Sequence, residues 1–261
     1  MESLKVMSGT DVDEVRRLVS REEWQVRVDL AACYRMVAHL GWDDLVFTHI
    51  SARVPGPERH FLINPYGFMF AEVTASSLVK VDLAGNIVMK TPYTINPAGY
   101  VIHSAVHEAC EDAHCVLHVH TLEGVAVSCQ KDGLLPICQA SLFALASVAY
   151  HDYEGIAINP AEKTRLVADL GDRNFMILRN HGLLTCGRTV PEAFLFMYSL
   201  QAACATQLAA QSSGAALVQV PPQIVDGFRA QAGTVLRNLG ADIVWPGVLR
   251  KLDRLDPSFR Q

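Results

Sequence analysis

The stretch Cys115-Val116-Leu117-His118-Val119-His120 indicates both the fold and the chemistry of this chain. Its apolar residues predict a buried β-strand, and residues i and i+2 of a strand point to the same face. His118 and His120 therefore lie side by side, in the geometry that binds a divalent metal. A third histidine, His181, follows the apolar run Phe175–Leu178 and completes an open, catalytic type of site. The alternative interpretation is a set of core histidines with local hydrogen bonds.

Composition favours a packed globular protein and argues against several other classes. Of 261 residues, 50% are hydrophobic and 19% are charged, and the net charge of −5 disfavours nucleic-acid binding. The longest apolar run identified near the middle, Leu142–Tyr150, is too short to span a membrane. Residues 1–10 lack the pattern of a secretory signal. Seven cysteines without a Cys-x-x-Cys pair predict buried free thiols and a cytoplasmic location.

Periodicity predicts helices and strands mixed along one domain. A capping box, with Ser20 as N-cap and Glu23 reaching back, predicts a helix that ends at Gly41. Other helices are predicted at 101–110, 122–130, 160–170 (with Asn159 as N-cap), 191–211 and 223–239. Strands are predicted at 47–54, 61–63, 78–81, 87–89, 116–120, 175–178 and 183–186.

Four motifs together resemble those of the class II aldolase/adducin family. They are Ile95–His107, Leu117–His120, Tyr150–Tyr153 and Arg179–Leu183. The resemblance implies a class II aldolase-like three-layer α/β/α fold with a central, mainly antiparallel sheet, over residues 22–212. Residues 1–21 are then an N-terminal arm and residues 213–261 a C-terminal helical tail packed on the same domain. The resemblance also implies a homotetramer with a metal site in a cleft near a subunit interface.

The resemblance implies specific metal ligands. Sugar-phosphate aldolases of the family bind zinc through two strand histidines and a third one downstream, which correspond to His118, His120 and His181. The family's acid/base glutamate corresponds to Gly99, which has no carboxylate and cannot transfer a proton.

The phosphate-binding positions of those aldolases also differ here. The family's asparagine corresponds to His49, its Thr-Gly pair to Tyr66-Gly67 and its serine pair to Pro97-Ala98. These changes argue against a sugar-phosphate aldolase. Tyr66, with Phe68 and Phe70, is a candidate for an apolar substrate pocket, although packing is the more common role of such aromatic residues.

Two residues are candidates for catalysis. His49 lies on a predicted strand, from which it can point into the pocket as a substrate contact or proton shuttle. Tyr153 ends the polar segment Tyr150–Tyr153, whose alternative explanation is a structural turn.

The candidate substrate-binding residues are Tyr66, Gly67, Gly99, His103 and Arg179. Arg179 precedes the third ligand and can meet a substrate carboxylate, with a surface ion pair as the alternative. His103 and His107 are spaced i, i+4 on a helix and face one way. We favour packing and hydrogen bonds over a second metal pair for both, with His103 the better candidate to line the site.

These residues predict a divalent-metal-dependent lyase with a small-molecule substrate. The metal, Zn²⁺ as first choice and Fe²⁺ or Mn²⁺ as alternatives, can stabilise an enolate as a C–C bond breaks in a hydroxy- or keto-acid. Aldol cleavage and decarboxylation both fit. Two alternatives stay open: a non-haem oxygenase on the same three histidines, and a non-catalytic, adducin-like oligomeric interaction module. The presence of all three ligands, without a long basic or disordered tail, favours an enzyme. We expect neither a nucleic-acid partner nor a membrane.

Overall fold

Residues 12–155, 160–239 and 243–261 are described by the computed structural model, and these parts contain seven strands and nine α-helices. The strands are β1 (His49–Arg53), β2 (Phe61–Ile63), β3 (Val79–Val81), β4 (Cys115–Val119), β5 (Val148–His151), β6 (Phe175–Leu178) and β7 (Gly182–Gly187). The helices are α1 (Val12–Leu18), α2 (Arg21–His39), α3 (Pro97–Ala109), α4 (Leu122–Ser128), α5 (Gln139–Leu145), α6 (Pro160–Leu170), α7 (Val190–Ser212), α8 (Pro222–Leu239) and α9 (Trp245–Leu255).

All seven strands belong to one sheet, in the order β3-β2-β1-β4-β7-β6-β5. Only the β5–β6 pair is parallel, and the other pairs are antiparallel. The expected mainly antiparallel sheet is confirmed. At its centre His49 of β1 is directly opposite His118 of β4, so both side chains emerge on the same face.

Helices cover both faces of the sheet because the central strands are apolar on both sides. In β4, Leu117 and Val119 join the core formed with α2 and α7, whereas Val116 joins a second core formed with α3 and α6. The three-layer α/β/α arrangement is therefore confirmed. On the α3 face, the buried side chains include the imidazoles of His49 and His118, which matter for function.

Helix α2 begins as predicted but without a complete capping box. The Ser20 hydroxyl accepts a hydrogen bond from the Glu23 backbone N–H at 3.1 Å. The Glu23 carboxylate does not reach back, because it accepts hydrogen bonds from Arg27 at 3.0 Å and from Lys80 at 2.7 Å. The Glu23 carboxylate thus pairs with the fully buried Arg27 within α2 instead of capping the helix. Its second pair, with Lys80, connects α2 to β3.

The remaining elements differ from prediction in a few places. Residues 87–89 form only an isolated bridge between Ile87 and Val81, because Ile87 and Val88 are exposed and bury no apolar face. Helices α1, α5 and α9 and strand β5 were not predicted, although Trp245, Val248 and Leu252 form a buried stripe on α9. The predicted N-cap Asn159 lies outside the described residues. The division into arm, domain and tail stays a prediction.

Helix α7 is the one helix in the described ranges that is long and apolar enough to cross a membrane, with half of its most apolar window buried. The sequence predicts this helix at 191–211, and the expectation of no membrane partner stays a prediction. Its buried residues, including Phe194, Met197 and Leu200, belong to the main core with α2 and the sheet. This burial accounts for its apolar composition without a membrane.

All seven cysteines are free thiols, as expected. Four of them are buried, but Cys110 and Cys138 are half-buried and Cys129 is exposed, so the predicted burial holds only in part.

Candidate metal centre

Three imidazoles meet at one end of the central strands, where β4 ends beside the turn that joins β6 to β7. The Nε2 atoms of His118 and His120 are 2.9 Å apart, and those of His120 and His181 are also 2.9 Å apart. Nitrogens that share a tetrahedral zinc, at about 2.0–2.1 Å from it, are about 3.3 Å apart. Small rotations of the rings therefore create the space that a divalent ion needs. The ligand atoms of His118, His120 and His181 lie within 4.8 Å of one another, close enough to hold one metal ion.

Hydrogen bonds behind two of these rings orient the ligand nitrogens. The Nδ1–H of His118 donates to the Leu183 carbonyl oxygen at 2.9 Å, and the Nδ1–H of His120 donates to the Asp44 carboxylate at 3.0 Å. A neutral imidazole protonated on Nδ1 keeps its lone pair on Nε2. Lone pairs facing each other repel unless a cation lies between them, so the donor set fits a divalent metal.

Asp44 was not predicted as part of this site. It lies in the turn after α2, far along the chain from His120, with a carboxylate that is 42% exposed. No spacing rule connects it to the histidines. The only signal is an acidic pair, Asp43-Asp44, in a short loop, which on its own predicts a solvated surface.

The position of His181 depends on the shape of a tight turn. The backbone N–H of His181 donates to the Leu178 carbonyl, and Asn180 adopts a left-handed φ of 55°, which asparagine tolerates better than most residues. At Gly182, a Cβ would lie 2.5 Å from the Val119 carbonyl oxygen and 3.1 Å from His120 Cδ2. Glycine at this position therefore allows β7 to approach the two strand ligands.

A cavity of about 230 Å³ lies beside the three histidines. Its other described lining residues are Phe47, His49, Asn96, Gly99, Ile102, Tyr153 and Gly155. His49, at the start of β1, thus lines the cavity, which is where the sequence predicts it. A Cβ on Gly99 would be 2.4 Å from His49 Cε1 and 2.6 Å from each ring nitrogen, so the imidazole fills the space beside this glycine.

Burial keeps His49, His118 and His181 neutral. It is the main cause that lowers the pKa of His49 to about 3 and that of His181 to about 4, and the neighbouring His120 lowers both further. The pKa of His118 is also well below its usual value, first through burial and then through His181 and His120. Neutral imidazole is the form that binds a metal.

His103 lies beneath His49 and does not line the cavity. The two ring centroids are 4.4 Å apart, and His103 is 1% exposed. His103 and His107 both hydrogen-bond to the Ser51 hydroxyl. The structure thus favours hydrogen bonds over a second metal pair for these two residues.

Tyr153 and Arg179 lie at the rim of the site. The Tyr153 ring is 55% exposed and its centroid is 6.3 Å from that of His181. Arg179 stacks on the Tyr150 ring at 4.3 Å and donates to the Gln130 carbonyl oxygen at 2.7 Å, so it is not a simple surface ion pair. Arg179 lines a neighbouring cavity of about 560 Å³ that it shares with Tyr153.

The remaining substrate-binding candidates are not in the cavity wall. Tyr66 is exposed, and neither it nor Gly67 is among the described lining residues. The Phe68 ring packs on Tyr93 and the Phe70 ring on Tyr34, which agrees with packing as the more common role of such aromatic residues. Substrate contacts by Tyr66 and Gly67 stay predictions.

Comparison with known proteins places this site in a family. The sequence profile described as "Class II Aldolase and Adducin N-terminal domain" matches residues 28–208. The chain therefore belongs to the class II aldolase and adducin family.

Particular relatives come from both branches of the family. A Pseudomonas aeruginosa protein, provisionally named an aldolase class 2 protein, is 60% identical over 95% of this chain and 96% of its own length. Mouse alpha-adducin is 47% identical over 70% of this chain, which corresponds to 25% of the adducin. The crystal structure of an aldolase II superfamily protein from Pseudomonas syringae superposes with a TM-score of 0.89 and 51% identity, over 95% of this chain and 100% of that one.

Proposed function

We propose that this protein is a divalent-metal-dependent lyase that breaks a C–C bond in a small hydroxy- or keto-acid, by aldol-type cleavage or decarboxylation. The observation that carries the proposal is the convergence of three Nε2 atoms, two of them with tautomers set by Leu183 and Asp44, beside a small cavity. An interaction module has no use for ligand nitrogens held in this way.

His118, His120 and His181 would hold the ion, with Zn²⁺ as first choice and Fe²⁺ or Mn²⁺ as alternatives. When bound, the ion supplies a Lewis acid that stabilises negative charge developing on a substrate oxygen. His49 and Tyr153 are then the titratable groups of the described cavity wall, apart from the metal-binding histidines, that can exchange a proton with the substrate. Gly99 contributes only space.

The cavity wall limits the substrate class. At about 230 Å³ it is smaller than the 300–1,000 Å³ that is typical of drug-sized ligands, so it suits an acid of a few carbon atoms. Its described lining contains no lysine or arginine, the residues that proteins most often use for phosphate. This supports a substrate without a phosphate group.

A second candidate function is the non-catalytic, adducin-like interaction module, which the similarity to alpha-adducin favours. A third, oxygen chemistry on the same histidines, depends on iron as the bound ion. The homotetramer and the cytoplasmic location belong to this proposal as well; the seven free thiols support a reducing compartment.

The experiment that tests this proposal is a substrate survey. The protein, loaded with Zn²⁺, Mn²⁺ or Fe²⁺ in turn, is incubated with mixtures of short hydroxy- and keto-acids, and products are followed by proton NMR. We expect one acid to be consumed, with loss of turnover in His181→Ala and after chelation. His39→Ala, at an exposed position at the end of α2, serves as the control. Metal binding without consumption of any acid would favour the adducin-like module.

A further inference from the structure

A chain of hydrogen bonds runs from Ala113, just beyond α3, to His103, which lies beneath His49. The Ser51 hydroxyl is 2.6 Å from His103 Nδ1 and 2.6 Å from His107 Nε2. His107 Nδ1 is in turn 2.8 Å from the Ala113 carbonyl oxygen. Ser51 and His49 are two residues apart on β1 and point to the same face, towards α3.

The chemistry of the four groups gives this chain one direction. A carbonyl oxygen only accepts, so His107 carries its proton on Nδ1 and its Nε2 accepts from the Ser51 hydroxyl. The single hydroxyl proton is then used, and Ser51 Oγ accepts from the Nδ1–H of His103. His103 is left with a lone pair on Nε2. Burial supports this arrangement, because it lowers the pKa of His107 to about 3 and that of His103 well below its usual value, so both rings are neutral.

At the His103 end of this series of hydrogen bonds lies a second imidazole whose nitrogens lack hydrogen-bond partners. His103 Nε2 and both nitrogens of His49 are buried and have no hydrogen-bond partner among the described residues. The two ring centroids are 4.4 Å apart. An acceptor that lacks a donor therefore lies against an imidazole that makes no well-aligned hydrogen bond of its own, with the backbone of Phe47 and Gly99 as the other groups near its nitrogens.

We propose that Ser51, His103 and His107 are positioning residues that fix the tautomer of His49. His49 directs its N–H to His103 Nε2, after a small ring rotation or through one buried water, and its other nitrogen keeps the lone pair. After the same ring rotation, that lone pair can accept a hydrogen bond from a ligand in the cavity; without it, both ring nitrogens are buried. The consequence for catalysis rests on the proposed function, whereas the tautomer itself does not.

The test is the tautomeric state of each ring in metal-free protein labelled with ¹⁵N-histidine, read at neutral pH from two-bond ¹H–¹⁵N correlations. Signals are assigned with His49→Gln, His103→Gln and His107→Gln. We expect His103 and His107 to be protonated on Nδ1 and His49 to be a single tautomer. In Ser51→Ala, His107 should stay protonated on Nδ1, while His103 and His49 become tautomer mixtures. Ser51→Thr, which keeps the hydroxyl, should restore single tautomers.

Ser141→Ala is the matched control, because Ser141 is a buried serine on α5 whose hydroxyl bonds only within its own turn. A single, unchanged His49 tautomer in Ser51→Ala would overturn the proposal. If Ser51→Ala does not fold, the wild-type spectrum still tests the proposal, since a His103 ring protonated on Nε2 would contradict the direction of these hydrogen bonds. Neither result depends on turnover or on bound metal, so failure here is distinguishable from failure of the lyase proposal.

Discussion

The imidazole of His49 occupies the space into which a side chain at position 99 would point, with Cε1 only 2.4 Å from the position of a Cβ on Gly99. The two residues lie on different elements, β1 and α3, and each restricts the other. With the His49 ring in this position, a side chain at position 99 fits only if the ring moves.

Gly99→Ala should lower the free energy of unfolding by about 1–3 kcal/mol, because it overpacks the contact with His49. When His49 is replaced by alanine, the same change should cost far less, which gives a coupling energy of about 0.5–3 kcal/mol in a double-mutant cycle. Urea unfolding of the four proteins measures both quantities. Gly227→Ala is the control, since a Cβ there meets nothing within 4 Å, and it should be neutral or stabilising. Equal costs of Gly99→Ala in both backgrounds would show that the two residues are independent.

Asp44→Ala should weaken zinc binding by about 10–100-fold, because the carboxylate that orients His120 is lost. The fold should be little affected, since this carboxylate is 42% exposed. Affinity is measured by competition with a chromogenic chelator. Asp43→Ala changes the neighbouring acid and should leave zinc affinity within a factor of about two, well below the loss at Asp44. Similar affinities in both variants would remove Asp44 from the site.

Acid should destabilise the fold through His107. Burial lowers the pKa of this residue to about 3, whereas the unfolded chain has a value of about 6.5. The unfolded state therefore binds more protons between these values, and stability is present above pH 6.5 and is lost as the pH falls towards 3.

His107→Gln removes this titration. In metal-free protein, the wild type should lose about 1–2 kcal/mol more than the variant between pH 7 and pH 5, as measured by urea unfolding at each pH. Parallel losses in the two proteins would mean that His107 does not contribute to the acid sensitivity.

Much of the fold could be predicted because its signals are local. The apolar run of β4 and the capping serine before α2 depend on near neighbours in the chain, and both elements were predicted to within one residue. The strand expected at residues 87–89 failed for a tertiary reason, since no layer covers Ile87 and Val88. The hydrophobic period alone does not reveal that absence.

The candidate site could be predicted only in part. His118 and His120 follow from strand geometry, whereas His181 is brought to them by a turn whose position depends on the whole sheet. The role of Asp44 and the contact between His49 and Gly99 join residues that are distant in sequence. Such relationships leave no periodic pattern, so they appear only when the chain is folded.

The most direct test of the metal centre is elemental analysis of the purified protein, together with His120→Ala and the control His39→Ala. We expect about one zinc, manganese or iron per chain in the wild type and the control, and a loss of most of it in His120→Ala. The identity of the ion then separates lyase chemistry from oxygen chemistry. Unchanged metal content in His120→Ala, or no binding even after reconstitution of the wild type, would contradict the three-histidine centre.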